Sequence, residues 1–307
     1  MRKRQIYAHR VRLPALLGTL ALLSIVPGTA GAAKASFPGR NGSIAFTGQG
    51  NGFAGACANS SCIKVISPAG GGEHTVSLTA GANHAHYSPN GRVLVFDRRG
   101  RAGCCQIYTV RANGTHLRRI THGFDDEDPA WSLDGMQIVF SRRPKSGPAE
   151  LYVVNADGTH LHALTSGAVG GSAPDWSTTG LIAFEGHGSS GNDIFVMRPD
   201  GTGETDLTNG SPSGCSSPSW SPGGRWIAFI CGTDVWRMRA DGTEKTRLTH
   251  TASFKDHPAV SPNGRLIVYQ DFVTGLSQLW VMRADGSRRR QITHDNSSNA
   301  APTWQPR

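Results

Sequence analysis

The residues in this chain that could do chemistry recur at one place in a repeating pattern. His84, Asp128 and His257 each open a short segment that runs to a turn, and the matching positions elsewhere are Ala173, Ser217 and Ala301. Imidazole and carboxylate converging on one polar mouth suit a metal ion or an acid–base pair. Hydrogen-bonding residues lining a wet channel give the same pattern. Asp128 also ends the acidic run Asp125-Asp126-Glu127-Asp128, which reads as a loop between repeats. Hard cations such as calcium need several converging oxygens, so Asp126 and Asp128 are the candidate metal ligands, against the plainer reading of a solvated acidic loop. Asp256, beside His257, completes a set with His84, Asp126, Asp128 and His257 as candidates for binding a partner or a cation.

The six cysteines fall in two classes of inter-strand loop that share one face of the predicted fold. An even count in an exported protein suggests disulfides. Cys215 and Cys231 lie equally far from Gly223 at a hairpin tip, which sets them opposite each other. Cys57 and Cys62 could close the local loop CANSSC, leaving Cys104 and Cys105 as a vicinal pair; alternatively these two bridge to Cys57 and Cys62. Free thiols or a metal site are the remaining readings.

Other reactive signatures are missing. The chain has no G-x-S-x-G nucleophile elbow, no H-E-x-x-H pair and no phosphate-binding G-x-x-x-x-G-K-[ST] loop. Gly48-Gln49-Gly50-Asn51-Gly52 lacks the strand-to-helix setting of a dinucleotide site and reads as a flexible loop.

The elements that must position these residues are set by periodicity. The residue before each turn is Tyr87, Trp131, Trp176, Trp220, Val260 and Trp304, at separations of 44, 45, 44, 40 and 44. Each unit holds four short strands. The first carries that residue into a turn such as SPNG or SPGG, where Pro presets φ and Gly lets it turn positive. The second is RVLVF, QIVF, LIAF, WIAF or LIVY; the third, such as ELYVV or DIFVM, is apolar on both faces, as a strand between two neighbouring sheets must be. Asn-Gly and Asp-Gly pairs then turn into a fourth strand ending in IT or LT.

Four strands per 40–45 residues make a β-propeller blade. Complete blades span about 83–121, 128–165, 173–208, 217–249 and 257–293. The stretch 36–79 supplies second, third and fourth strands without a first, and 301–307 supplies a first strand alone. Joined, PTWQP and PGRNGSIAF reproduce PSWSPGGRWIAF. The expected fold is therefore an all-β, six-bladed propeller whose sixth blade is shared between the two termini, which leaves no free sheet edge.

The strings P-x-W-S-P-[DN]-G-x-x-I-[AV]-F, I-[YF]-V-[MV]-x-x-D-G-T and L-T resemble the WD-like repeat of the TolB-like propeller family across residues 36–307. That resemblance implies an extracytoplasmic six-bladed propeller that docks partner proteins at one end of its channel. The family's eponymous protein carries an α/β domain before its propeller, whereas here the blades follow the leader directly. The repeat is also similar to propellers attached to prolyl-oligopeptidase-type enzymes, but no hydrolase domain follows it.

Residues 1–35 read as a secretory signal peptide: a basic start, an apolar run from Leu13 to Val26 interrupted by Pro14 and Gly18, and small-residue sites through Ala35. The run is too short to span a bilayer, so no membrane span is expected after cleavage. Cleavage removes six of the basic residues and no acidic ones, taking the net charge from +9 to +3. The densest basic run left is Arg288-Arg289-Arg290, which argues against nucleic-acid binding. The sequence thus reads as a secreted or periplasmic, monomeric, non-enzymatic propeller that binds an envelope or secreted protein through its loop face. The alternatives are a metal-dependent hydrolase or lyase on glycans or peptides and a small-ligand or sugar-binding propeller.

Overall fold

The computed structural model describes residues 37–49, 60–100, 105–167, 169–211, 213–273 and 275–307. The leader expected over residues 1–35 lies outside them. The described residues form six four-stranded antiparallel sheets and no helix. Blades 1 to 5 begin with the strands Ala82–Tyr87, Asp125–Trp131, Ser172–Trp176, Cys215–Trp220 and Lys255–Val260. Blade 6 is the shared one: Asn299–Pro306 pairs with Asn41–Gln49, which continues to Ser61–Ile66 and His74–Thr75. Ile44 faces Trp304 and Ala45 faces Thr303 across that seam. The first strands touch in a closed cycle, each packed on the next and the last back on the first.

The recurring apolar residues form the contacts between blades. The aromatic within the second strand is Phe46, Phe96, Phe140, Phe184, Phe229 or Tyr269, and all six are essentially inaccessible. The residues that set the sequence period, from Tyr87 to Trp304, are buried beside them. Gly91 shows how tightly the ring closes. Its φ of 66° suits glycine, and a Cβ there would run into the Pro306 carbonyl.

The repeated IT or LT turns out not to be strand. Each fourth strand is two residues long and ends before it. The threonine serves another purpose: Thr79, Thr121, Thr165, Thr208, Thr249 and Thr293 each accept, through Oγ1, the N–H of an apolar residue in the third strand at 2.9–3.1 Å. A hydroxyl thereby satisfies a buried donor that a short outer strand leaves unpaired.

Candidate functional site

Backbone geometry, repeated six times, builds the mouth of the channel. His84, Asp128, Ala173, Ser217, His257 and Ala301 all lie in the left-handed region, with φ between 43° and 57°. Each sits in a register break of the first strand, as between Asn83 and His86 or between Glu127 and Ala130. A bulge adds one residue to a strand and re-aims its side chain. Left-handed backbone is costly for a non-glycine residue, and it is held here at the same place in every blade.

The expected convergence of His84, Asp128 and His257 is present. His84 Nδ1 lies 2.7 Å from Asp97 Oδ1 and 3.0 Å from Asp128 Oδ1, so its proton points to two carboxylates. The His84 and His257 rings stack at 5.9 Å with planes 7° apart. Asp256 orients His257, with Oδ2 3.1 Å from Nδ1 and Oδ1 accepting both the His257 N–H and the Ser217 hydroxyl. Burial alone would raise the Asp256 carboxyl; the charge of His257 and these hydrogen bonds outweigh it and hold it below the usual range.

Two further carboxylates belong to this mouth and were not among the sequence candidates. Asp97 and Glu185 occupy the position just after the second-strand aromatic, where the other blades carry Thr47, Ser141, Ile230 and Gln270. The position caps the next blade: Asp97 accepts the Asp128 N–H at 3.4 Å, Gln270 the Ala301 N–H at 3.2 Å, and Glu185 the Ser217 N–H. Burial pushes the Glu185 carboxyl up to about 8, helped by the charges of Asp256 and Asp128, while its Oε2 has no hydrogen-bond partner. Polar residues following the core motif I-[AV]-F were the available signal.

Asp126 does not join them. The acidic run is part of the first strand of blade 2, not a loop, and its carboxylates are mostly engaged. Asp126 makes a buried two-pronged ion pair with Arg142 at 2.6 and 2.9 Å, Glu127 meets Arg143 at 3.2 Å, and Asp125 accepts the Cys105 N–H at 2.8 Å. The bulge separates Asp128 from this set by turning it to the axis. Asp126 is thus corrected from metal ligand to structural partner of Arg142.

Cys215 and Cys231 are disulfide-bonded and opposite in register, as the hairpin symmetry predicts. Cys57 and Cys104 lie outside the described residues, and Cys62 is disulfide-bonded. Cys105, expected in a bridge, carries a free buried thiol. It opens the third strand of blade 1, close to Asp125 and Glu127. Burial, and then the nearby carboxylates of Asp97, Glu127 and Asp125, push the thiol up, which keeps it protonated.

The model of the TolB β-propeller domain matches residues 123–307. The chain belongs to the TolB β-propeller domain family. Among curated proteins none matches it. TolB from Acinetobacter baumannii is similar with a TM-score of 0.75 at 18% identity, over 87% of this chain and 67% of that one. A putative TolB from Agrobacterium tumefaciens gives 0.65 at 22%, over 82% and 88%. An oligogalacturonate lyase in complex with manganese gives 0.56 at 12%, over 86% and 87%. At such identities the likeness to these three structures shows a shared fold.

Proposed function

We propose that this TolB-like propeller is an extracytoplasmic, non-enzymatic scaffold that binds a protein partner of the cell envelope at its axial mouth. The observation that carries the reading is the ring of six left-handed bulges, which fixes the backbone and leaves the side chain at each position free to vary. Binding groups are commonly held this way, on variable positions of a rigid frame. The Cys215–Cys231 disulfide and the TolB likeness support a location outside the cytoplasm. With Asp97, Asp128 and Asp256 around it, the mouth suits a cationic group on the partner. Retrieval from the native envelope fraction with wild-type protein and with H84Q/D128N/H257Q tests this. The variant should fold and retrieve nothing specific; an unchanged set of captured proteins would place the binding surface elsewhere.

A second reading is a divalent cation, such as calcium, held at the same mouth. It is favoured by one observation: ligand atoms of His84, Asp97 and Asp128 all lie within 4.8 Å of one another. The fold likeness to a manganese-bound lyase is in keeping with it and leaves a hydrolase or lyase activity as its extension. Calorimetric titration of metal-stripped protein with calcium and with manganese separates the readings. Heat of binding abolished by D97N/D128N supports the cation; no heat with either ion removes it.

A further inference from the structure

The face opposite the mouth carries a cationic groove that the fold does not require. In an antiparallel blade the turn after the first strand and the turn after the third lie at the same end, away from the axial bulges. At that end of blades 4 and 5 three hollows of about 710, 540 and 380 Å³ adjoin, sharing Arg237, Trp226 and Asn263 between them. Five arginines line them: Arg225, Arg237, Arg239, Arg265 and Arg283, with half-buried Trp226 among them. They come from separate turns and strands, so no basic run in the sequence announces them.

The acids of the groove offset only part of these charges: Asp241, Glu244 and Asp285 stand against five arginines. Glu244 pairs with Arg239 at 3.2 Å. Asp241 and Asp285 spend Oδ1 on the N–H and hydroxyl of Thr243 and Ser287, as the Asp-Gly turns require. Arg237 donates to the Ala284 carbonyl of the next blade at 3.1 Å. Among the described residues Arg225, Arg265 and Arg283 form no ion pair within 4.0 Å, though the charge of Arg283 helps hold the Asp285 carboxyl down.

The repeat supplies its own control. The hollow at the same place in blade 2, about 440 Å³, is lined by Asp134, Met136, Gln137, Asn155, Ala156 and Asp157 and holds no arginine. Met136 and Asn155 stand there where blade 4 has Arg225 and Arg239 and blade 5 has Arg265 and Arg283. Both sets form the same turns, so the fold does not require the arginines; blade 1 carries the same pair, Arg92 and Arg111, but with no adjoining pair in blade 2, whereas the pairs of blades 4 and 5 are neighbours joined by Arg237.

We propose that this groove binds a linear acidic polysaccharide. Arginine forks match carboxylate and sulfate oxygens in pairs. Arginine pairs repeated from one blade to the next suit a polymer whose charges also repeat. The exposed part of Trp226 offers a flat apolar face to a sugar ring. Single-stranded nucleic acid would call for a series of aromatic platforms, and this groove has one.

The experiment is calorimetric titration of the full chain with alginate oligomers at near-physiological salt, where loose surface attraction is screened. R225Q/R265Q/R283Q should keep the wild-type melting temperature, since all three side chains are exposed, and should bind at least tenfold more weakly. R92Q/R111Q, which alters the same two turn positions in blade 1, should change affinity less than twofold, and neutral dextran should not bind. Should the triple variant not fold, R265Q and R283Q singly should each weaken binding about threefold. The proposal is overturned if alginate does not bind, if the triple variant binds like wild type, if the blade 1 control loses as much, or if a single-stranded oligonucleotide displaces alginate at equal charge.

Discussion

The two ends of the propeller obey opposite rules. At the turn end the residue types repeat because each does a fixed job: Asp157, Asp200 and Asp241 each hold the following threonine through its N–H and hydroxyl, and Ser88, Ser132 and Ser261 brace the first turn. At the mouth the backbone repeats and the residues do not, running from His84 through Asp128 to Ala301 at one conformation. Where chemistry is constant the residue serves the fold. Where conformation is constant and chemistry changes, the residue is available for recognition. The arginines of blades 4 and 5 depart from the first rule, which is why they stand out against blade 2.

The largest expected effect falls on the closure both ends depend on. Deleting residues 301–307 removes most of the first strand of blade 6, together with Trp304, whose Nε1 donates to the Ala259 carbonyl at 3.0 Å. Loss of a large buried aromatic alone costs about 3–5 kcal/mol, and the exposed edge adds aggregation. Size-exclusion chromatography and thermal melting of the truncated chain decide it; a wild-type melt would break the shared-blade account.

A smaller loss is expected where a repeated residue satisfies a buried donor. Thr249 is fully buried, accepts the Val235 N–H at 3.0 Å and donates to Asp234 at 2.7 Å. T249V strands the Val235 N–H and takes one hydrogen bond from Asp234, which keeps Arg247, and should cost about 1–3 kcal/mol by urea denaturation. T243A, on the exposed turn, should stay within about 0.5 kcal/mol. Equal losses would erase the distinction between buried and exposed repeats.

Glu185 gives a pH signature. Its carboxyl is raised to about 8 in the fold from 4.5, so the folded state holds the proton more tightly. Its contribution is fully present below pH 4.5 and is lost as pH rises toward 8. E185Q should remove that slope and raise the melting temperature at pH 8 by about 2–4 °C per kcal/mol regained. An unchanged difference between melts at pH 5 and pH 8 would refute it.

The smallest stability effect belongs to the mouth itself. H84Q/H257Q should move the denaturation midpoint little, because glutamine keeps an N–H donor for the carboxylates of Asp97 and Asp256 and the bulge is set by register. A collapse of stability would mean that these histidines serve the fold after all.

Much of this was legible in the sequence, and physical reasons separate what was from what was not. Strand order and the shared blade followed from period and turn chemistry, both local. The meeting of His84, Asp128 and His257 followed because a ring brings equivalent positions together. The loss of Asp126 to Arg142 did not, because a bulge reverses which side of the strand each carboxylate faces, and nothing in DDED marks where it begins. Asp97 and Glu185 were hidden for a related reason. They extend an apolar strand by one residue, and only the neighbouring blade reveals what they cap. Cys105 escaped because pairing depends on where the fold brings a second sulfur, which spacing along the chain does not record.

The caps at the mouth carry a consequence of symmetry. Asp97, Glu185 and Gln270 reach the bulges of blades 2, 4 and 6, whereas Thr47 and Ser141 leave their hydroxyls unpartnered and Ile230 has none to offer. Near its axis the ring is therefore a triangle of blade couples more than a hexagon. Asp128, Ser217 and Ala301 are each tied to a neighbour through the backbone N–H, a tie that a change of side chain leaves in place. His84, Ala173 and His257 occupy the alternate corners, where the preceding blade offers no such cap; the two histidines reach across instead, His84 to Asp128 of blade 2 and each ring to the other. Because the couples are held by backbone, a descendant of this sequence can exchange one ligand for another at the mouth without uncoupling its blades.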